Sequence, residues 1–177
     1  MVKPSIEWVD EVVDQAYHGT DLSTADKIAA GNRFQPSRGP DHWLGDGVYF
    51  FQDSIVLAVK WAKRKAKEKQ SKEYGVLKAS ILLGKCLDLT TQTYKKQLEK
   101  WINLLQCKTK LDLTESWIIN SFARKYRGGF DTVRCRFPGF PGELPFRSSR
   151  SKRSYIQISV LQVDNISNVV RVEKGKR

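Results

Sequence analysis

"QAYHGT", residues 15–20, is the stretch on which the reading turns. It closes an apolar run and holds His18, one of only two histidines in 177 residues, with Gly19 and Thr20 directly behind it. A histidine at the end of a short strand is by default a core residue whose ring is satisfied by its neighbours. The downstream sequence changes that default. "GDGVYFF", residues 45–51, is a glycine turn feeding a buried aromatic strand. "AVKWA", residues 58–62, follows in a helix, and "SYIQISVLQVDNI", residues 154–166, comes near the end.

Around these landmarks the chain alternates helices and short strands. Residues 22–34 predict a helix capped by Ser23 or Thr24, with Ile28 and Ala29 inward and Gly31 as its stop. Residues 35–43, "QPSRGPDHW", form a loop in which His42 reads as a surface residue or as one that reaches the donor site. Residues 53–72 give the clearest helix, capped by Asp53 or Ser54, with Ile55, Leu57, Ala58, Trp61 and Ala62 on its apolar side. Residues 75–90 read as a strand with a following extended segment. Residues 91–106 and 114–126 are helical, the second capped by Thr114. Residues 130–137, 154–163 and 168–175 read as strands, and 138–153 as a proline-rich basic loop. This order is α+β, without the βαβ rhythm of a doubly wound sheet. A single domain over residues 1–177 is expected.

The composition narrows the function classes. Thirty-one Lys and Arg against 19 Asp and Glu give a formal charge of +12, which concentrates polyanions at the surface. Nucleic acid is the first candidate partner. The three cysteines, Cys86, Cys107 and Cys135, are odd in number and form no CxxC, so neither a disulfide framework nor a zinc site is expected. The N-terminus lacks an apolar signal region and no 18-residue apolar run exists, so a cytoplasmic protein with no membrane partner is expected. The sequence has no GxxxxGK[ST], no GxGxxG after a strand, no GxSxG and no HExxH.

The paired motifs, in this order and spacing, resemble the ADP-ribosyltransferase fold on the branch shared by diphtheria toxin and the poly(ADP-ribose) polymerases, of the H-Y-[E/Q] type. His18-Gly19 matches that branch's first core strand. Gly45-Asp46-Gly47-Val48-Tyr49-Phe50 matches its turn and second strand, and Ala58 and Trp61 its following helix. The resemblance covers residues 14–62 and 154–166. It implies a split β-sheet core with flanking helices, and NAD as a substrate with no metal. It implies that His18 bonds the adenosine ribose and that Gly19 offers its backbone N–H and C=O to the nicotinamide amide, with Thr20 beside it. Tyr49 would stack on the nicotinamide and Trp61 would close the sandwich from the other side. Arg33 and Arg38 are the candidates for the pyrophosphate.

The family's third residue is usually a glutamate. Here Gln157 takes its place, or Ser154 in an alternative register, and neither is a carboxylate. Gln157 can bond a ribose hydroxyl but supplies no negative charge to an oxocarbenium-like transition state. A substitute carboxylate from Glu143, Asp131 or the substrate itself, single transfers only, or a non-catalytic binding fold are the open outcomes. The loop before that strand carries Arg147, Arg150, Lys152 and Arg153, with Tyr155 next to them. Cations and an aromatic there suit a phosphate backbone and a stacked base. The expectation is therefore mono-ADP-ribosylation of a nucleic acid, RNA ahead of DNA, by a bacterial toxin or phage-defence effector that has an antitoxin or inhibitor partner. A protein acceptor, or a non-catalytic NAD or nucleic-acid binder, are the rivals.

Overall fold

The computed structural model describes residues 8–108, 113–125, 129–137 and 154–177. In these residues the order is β1 (Trp8–Asp21), α1 (Leu22–Ala29), β2 (Val48–Gln52), α2 (Ile55–Glu68), β3 (Glu73–Asp88), α3 (Gln92–Lys108), α4 (Glu115–Lys125), β4 (Thr132–Phe137), β5 (Tyr155–Val160) and β6 (Ile166–Lys176). The chain is α+β, as its sequence predicts.

The sheet has two halves. In one, β1 runs antiparallel to β3, from Trp8 opposite Lys85 to Asp21 opposite Tyr74, and β6 covers the other edge of β3. In the other, β5 lies between β2 and β4, antiparallel to both. Two short seams join the halves. Ala16 and Tyr17 face Gln52 and Phe51 across β1 and β2, and residues 86–88 run parallel to residues 132–134 across β3 and β4. This is a split sheet.

Apolar residues on each half explain why they close on one another. Val13, Ala16, Phe50, Ile81, Leu83, Ile158 and Val160 are buried together in one cluster. Helix α2 presents Leu57 and a run of small residues, Ala58, Ala62 and Ala66, to Phe51, Tyr74 and Val76. Helix α4 places Ile119 and Phe122 against Leu44, Leu87, Phe130 and Val133. Each large side chain buried this way contributes about 1.5–3 kcal/mol.

The structure corrects several local expectations. The cap of α1 is Asp21, whose carboxylate accepts from the Thr24 amide at 3.0 Å; Ser23 and Thr24 lie inside the helix. Ala25, not Ala29, is the inward partner of Ile28: residues 25 and 28 share the face turned to the core, and Ala29 is exposed. Ser54 rather than Asp53 caps α2, while Thr114 caps α4 through the Trp117 amide as the sequence predicts. Strand β1 is far longer than the short strand ending at His18 that the sequence suggests. Register shifts near Val9 and Val13 break its two-residue alternation, which hides it in the sequence. Strand β3 is one continuous element because its first part pairs with β1 and its end with β4.

Candidate active site

Beyond Tyr17 the β1–β2 seam ends and the two strands part, and a cavity of about 860 Å3 opens there. Its lining includes His18, Gly19, Thr20, Arg33, Tyr49, Trp61 and Gln157. Thus seven residues singled out in the sequence meet in one place, although they come from β1, the following loop, β2, α2 and β5.

The parting of the strands has a direct cause. The Gln15 carbonyl accepts from the Asp53 amide at 2.8 Å, so β1 still bonds toward β2 at that point. Along a strand, alternate residues direct their N–H and C=O to the same side. Gly19 therefore directs both groups toward β2, where the ladder has stopped. Across from it, the Tyr49 carbonyl is already taken. It accepts from His18 Nδ1 at 2.8 Å. The imidazole stands where the ladder would have continued and leaves the Gly19 backbone edge facing the cleft.

That bond also fixes the chemistry of His18. A carbonyl only accepts, so Nδ1 carries the proton. Burial lowers the pKa of the ring; the Tyr49 carbonyl opposes this, and Lys69 and Lys65 lower it further. The ring is neutral at pH 7, and Nε2 is an acceptor. Phe34 and Phe50 hold the ring, with centroids 5.4 and 5.5 Å away. A ribose hydroxyl is a fitting partner for such a nitrogen.

Gly19 has a packing role that the sequence reading did not anticipate. A Cβ there would lie 2.1 Å from the Ala58 carbonyl oxygen and 2.8 Å from the Ala62 nitrogen. The absent side chain is demanded by α2, not by a ligand's approach. Gly47 is similar, since a Cβ would lie 2.3 Å from Ser159 Oγ on β5.

Tyr49 donates its hydroxyl to the Gly45 carbonyl at 2.7 Å and accepts from the Leu44 amide at 2.9 Å. The hydroxyl thus closes the 44–49 turn, and burial pushes its pKa well above the ordinary tyrosine value. Only the ring is left for a ligand. Between Tyr49 and Trp61 stands Trp43, edge-on to both at 6.0 and 6.2 Å. The sequence reading passed over Trp43. The signal was a pair of large apolar residues, Trp43 and Leu44, in the loop "GPDHWLG" directly ahead of the glycine turn. Of the two places the sequence allows for His42, the structure shows the second: it is half-buried, lines the cavity and lies against the Tyr49 ring at 5.8 Å.

Gln157 is 2% exposed in the middle of the β2–β5–β4 half. Its Oε1 accepts from Trp43 Nε1 at 2.8 Å. Asp131 does not replace a carboxylate here. It accepts from the Lys85 amide at 2.8 Å and does not line the cavity. Glu143 lies outside the described residues.

The cavity is rich in cations: Lys27, Arg33, Arg64, Lys65 and Lys69, against Asp41 and Glu68. The last three basic residues come from α2 and its end. Arg64 and Lys65 bond Glu68 at 3.0 and 2.8 Å and lie over the Trp61 ring, and Arg33 pairs with Asp164 at 2.5 Å. These pairs are solvent-exposed, and such pairs contribute only about 0–1 kcal/mol. A diphosphate can therefore compete for the cations. Lys69 is held more firmly by the buried Asp21 at 2.6 Å. Burial alone would raise the Asp21 pKa, but Lys69 and Thr24 outweigh it and hold the carboxyl below the usual range.

Several expected residues fall elsewhere. Arg38 is exposed and does not line the cavity, because the 35–43 loop turns it outward. Tyr155 does not line it either; its ring stacks on Phe137 at 5.6 Å and leans on Phe51. Arg147, Arg150, Lys152 and Arg153 lie outside the described residues. Among the described residues no group of three or more His, Cys, Asp and Glu is placed to hold a metal ion. Among them, too, no helix is long and apolar enough to cross a membrane.

No family model matches the chain. The uncharacterized protein MJ0359 of Methanocaldococcus jannaschii is 34% identical over 69% of this chain. The chain spans 64% of that relative's length. Among solved structures, a chain of the Mycobacterium tuberculosis MbcT–MbcA toxin–antitoxin complex superimposes with a TM-score of 0.50. The match covers 96% of this chain and 86% of that one at 10% identity, so the likeness is one of fold.

Proposed function

We propose that this chain is a mono-ADP-ribosyltransferase that moves ADP-ribose from NAD to a nucleic acid, RNA ahead of DNA. The observation that carries this reading is the opened β1–β2 seam. It offers a neutral His18 Nε2 as acceptor and, one residue on, the Gly19 backbone edge as donor and acceptor. These are the groups a ribose hydroxyl and a carboxamide need. The adenosine ribose bonds His18, the nicotinamide amide bonds Gly19, and the pyrophosphate meets Arg33, Arg64 and Lys65 at the cavity mouth. The nicotinamide packs on the aromatic group around Tyr49, and Gln157 holds its ribose. The glycosidic bond breaks with its electron pair leaving on nicotinamide. The acceptor's oxygen or nitrogen then attacks the sugar carbon and gives up its proton.

The +12 charge supports a polyanionic acceptor. The fold shared with a chain of a toxin–antitoxin complex supports a toxin or defence effector with an inhibitor partner. Gln157 favours a second reading, a non-catalytic NAD-binding module, because an amide rather than a carboxylate stands at this position of β5. Incubation with labelled NAD and separate RNA, DNA and protein pools tells these apart. Label entering RNA or DNA, and lost in His18→Ala, supports transfer to nucleic acid. Label only in protein moves the acceptor class. Bound NAD without transfer leaves the binding module.

A further inference from the structure

Trp43 has a bond that determines what Gln157 can do. An indole nitrogen carries a hydrogen and offers no lone pair, so the Gln157 atom 2.8 Å from Trp43 Nε1 must be the carbonyl oxygen. This decides the orientation of a side-chain amide whose oxygen and nitrogen otherwise look alike. The NH2 group is left for the cavity that Gln157 lines.

Trp43 is itself well braced. Its ring meets Tyr49, Trp61 and Phe137 edge-on. It forms the wall shared by the main cavity and a smaller apolar one of about 240 Å3, lined on the far side by Leu89, Leu98, Ile102 and Ile118. Gln157 is fixed from below by pairing with Phe51 and Cys135 on its two neighbouring strands. A braced donor thus meets an amide on a central strand, and the amide has one orientation.

We propose that Trp43 is a positioning residue that locks Gln157 as a hydrogen-bond donor to the nicotinamide ribose; this rests on the NAD reading above. A sugar hydroxyl then accepts from Gln157 through its oxygen. At this point the site selects ligands that present an acceptor oxygen, the reverse of what a carboxylate would select.

The test uses Trp43→Phe, which keeps a ring and removes the N–H, together with Gln157→Ala and the double variant. The chain has five tryptophans, and the indole N–H signal of Trp43 in a 15N-labelled sample is the one that Trp43→Phe removes. Gln157→Ala shifts that signal and speeds its hydrogen exchange about tenfold or more. An unmoved signal overturns the proposal. In NAD turnover, Trp43→Phe lowers kcat about tenfold with KM changed less than about threefold, and has no further effect once Gln157 is alanine. Trp43→His, which retains a ring N–H, recovers part of the loss. Losses that multiply in the double variant overturn the proposal, because Trp43 then acts independently of Gln157. If the wild-type protein neither binds nor turns over NAD, the NAD reading fails, and the indole signal alone decides whether Trp43 holds Gln157.

Discussion

Gln157→Glu puts an oxygen where the amide nitrogen stands and changes the volume of the side chain hardly at all. Trp43 Nε1 keeps an oxygen to donate to, so the 2.8 Å bond survives. The second carboxylate oxygen then faces the cavity in place of the NH2. Burial at 2% exposure raises the pKa of the new group. The cations Arg64, Lys65 and Lys69 on the cavity wall favour its ionised form. A preorganised charge opposite a developing positive sugar in a water-poor site is worth about 3 kcal/mol. That corresponds to roughly a hundredfold in rate. The assay is nicotinamide release from saturating NAD, followed from pH 5 to 8. We expect kcat to rise roughly a hundredfold, KM to change little, and the gain to grow with pH as the carboxyl ionises. Equal or lower kcat, with melting temperature and NAD affinity unchanged, would refute the reasoning that this chain lacks only the charge.

Gly19→Ala places a Cβ 2.1 Å from a backbone carbonyl, and no rotamer relieves a contact of that kind. It should cost about 3 kcal/mol and lower Tm by about 6–12 °C. Ala62→Gly should not rescue it, because the Ala58 oxygen remains; full rescue in the thermal melt would contradict the packing explanation. Tyr49→Phe leaves the Leu44 amide without its acceptor and should cost about 1–3 kcal/mol in a urea titration, yet keep NAD affinity within about threefold. A loss of affinity as large as that of Tyr49→Ala would mean that the hydroxyl touches the ligand. Because burial holds the His18 pKa below 6.5 in the folded state, the unfolded chain takes up a proton first as pH falls. Stability is therefore complete above pH 6.5 and declines as pH falls below it. NAD affinity also weakens below the lowered pKa, where Nε2 becomes a donor. His18→Phe should flatten the stability slope just below pH 6.5; an unchanged slope would remove His18 as its source.

What the sequence made legible was local. The glycine turn and aromatic strand of "GDGVYFF" follow from turn chemistry. "YHG" reads as a strand end, whereas β1 runs on to Asp21 along β3 and only its pairing with β2 stops there. What stayed hidden was tertiary or depended on period. Trp61 was legible, but Lys65, Glu68 and Lys69 follow it at helical spacing on one side of α2 and its end, and this stripe lines the cavity. The Asp21–Lys69 pair joins positions 48 residues apart and leaves no trace in local sequence. Trp43 was passed over because a tryptophan in a loop carries no periodicity to be read. Gln157 was found through its alternating strand, but its orientation came only from the indole that faces it.

A crystal structure of the protein with NAD, or with an analogue that resists glycosidic cleavage, tests the central claim most directly. The account predicts NAD in the opened β1–β2 cleft. The adenosine ribose hydroxyl should lie within hydrogen-bond distance of His18 Nε2, and the nicotinamide amide should bond the Gly19 N–H and C=O. NAD bound elsewhere, or a cleft left empty at millimolar NAD, would contradict it.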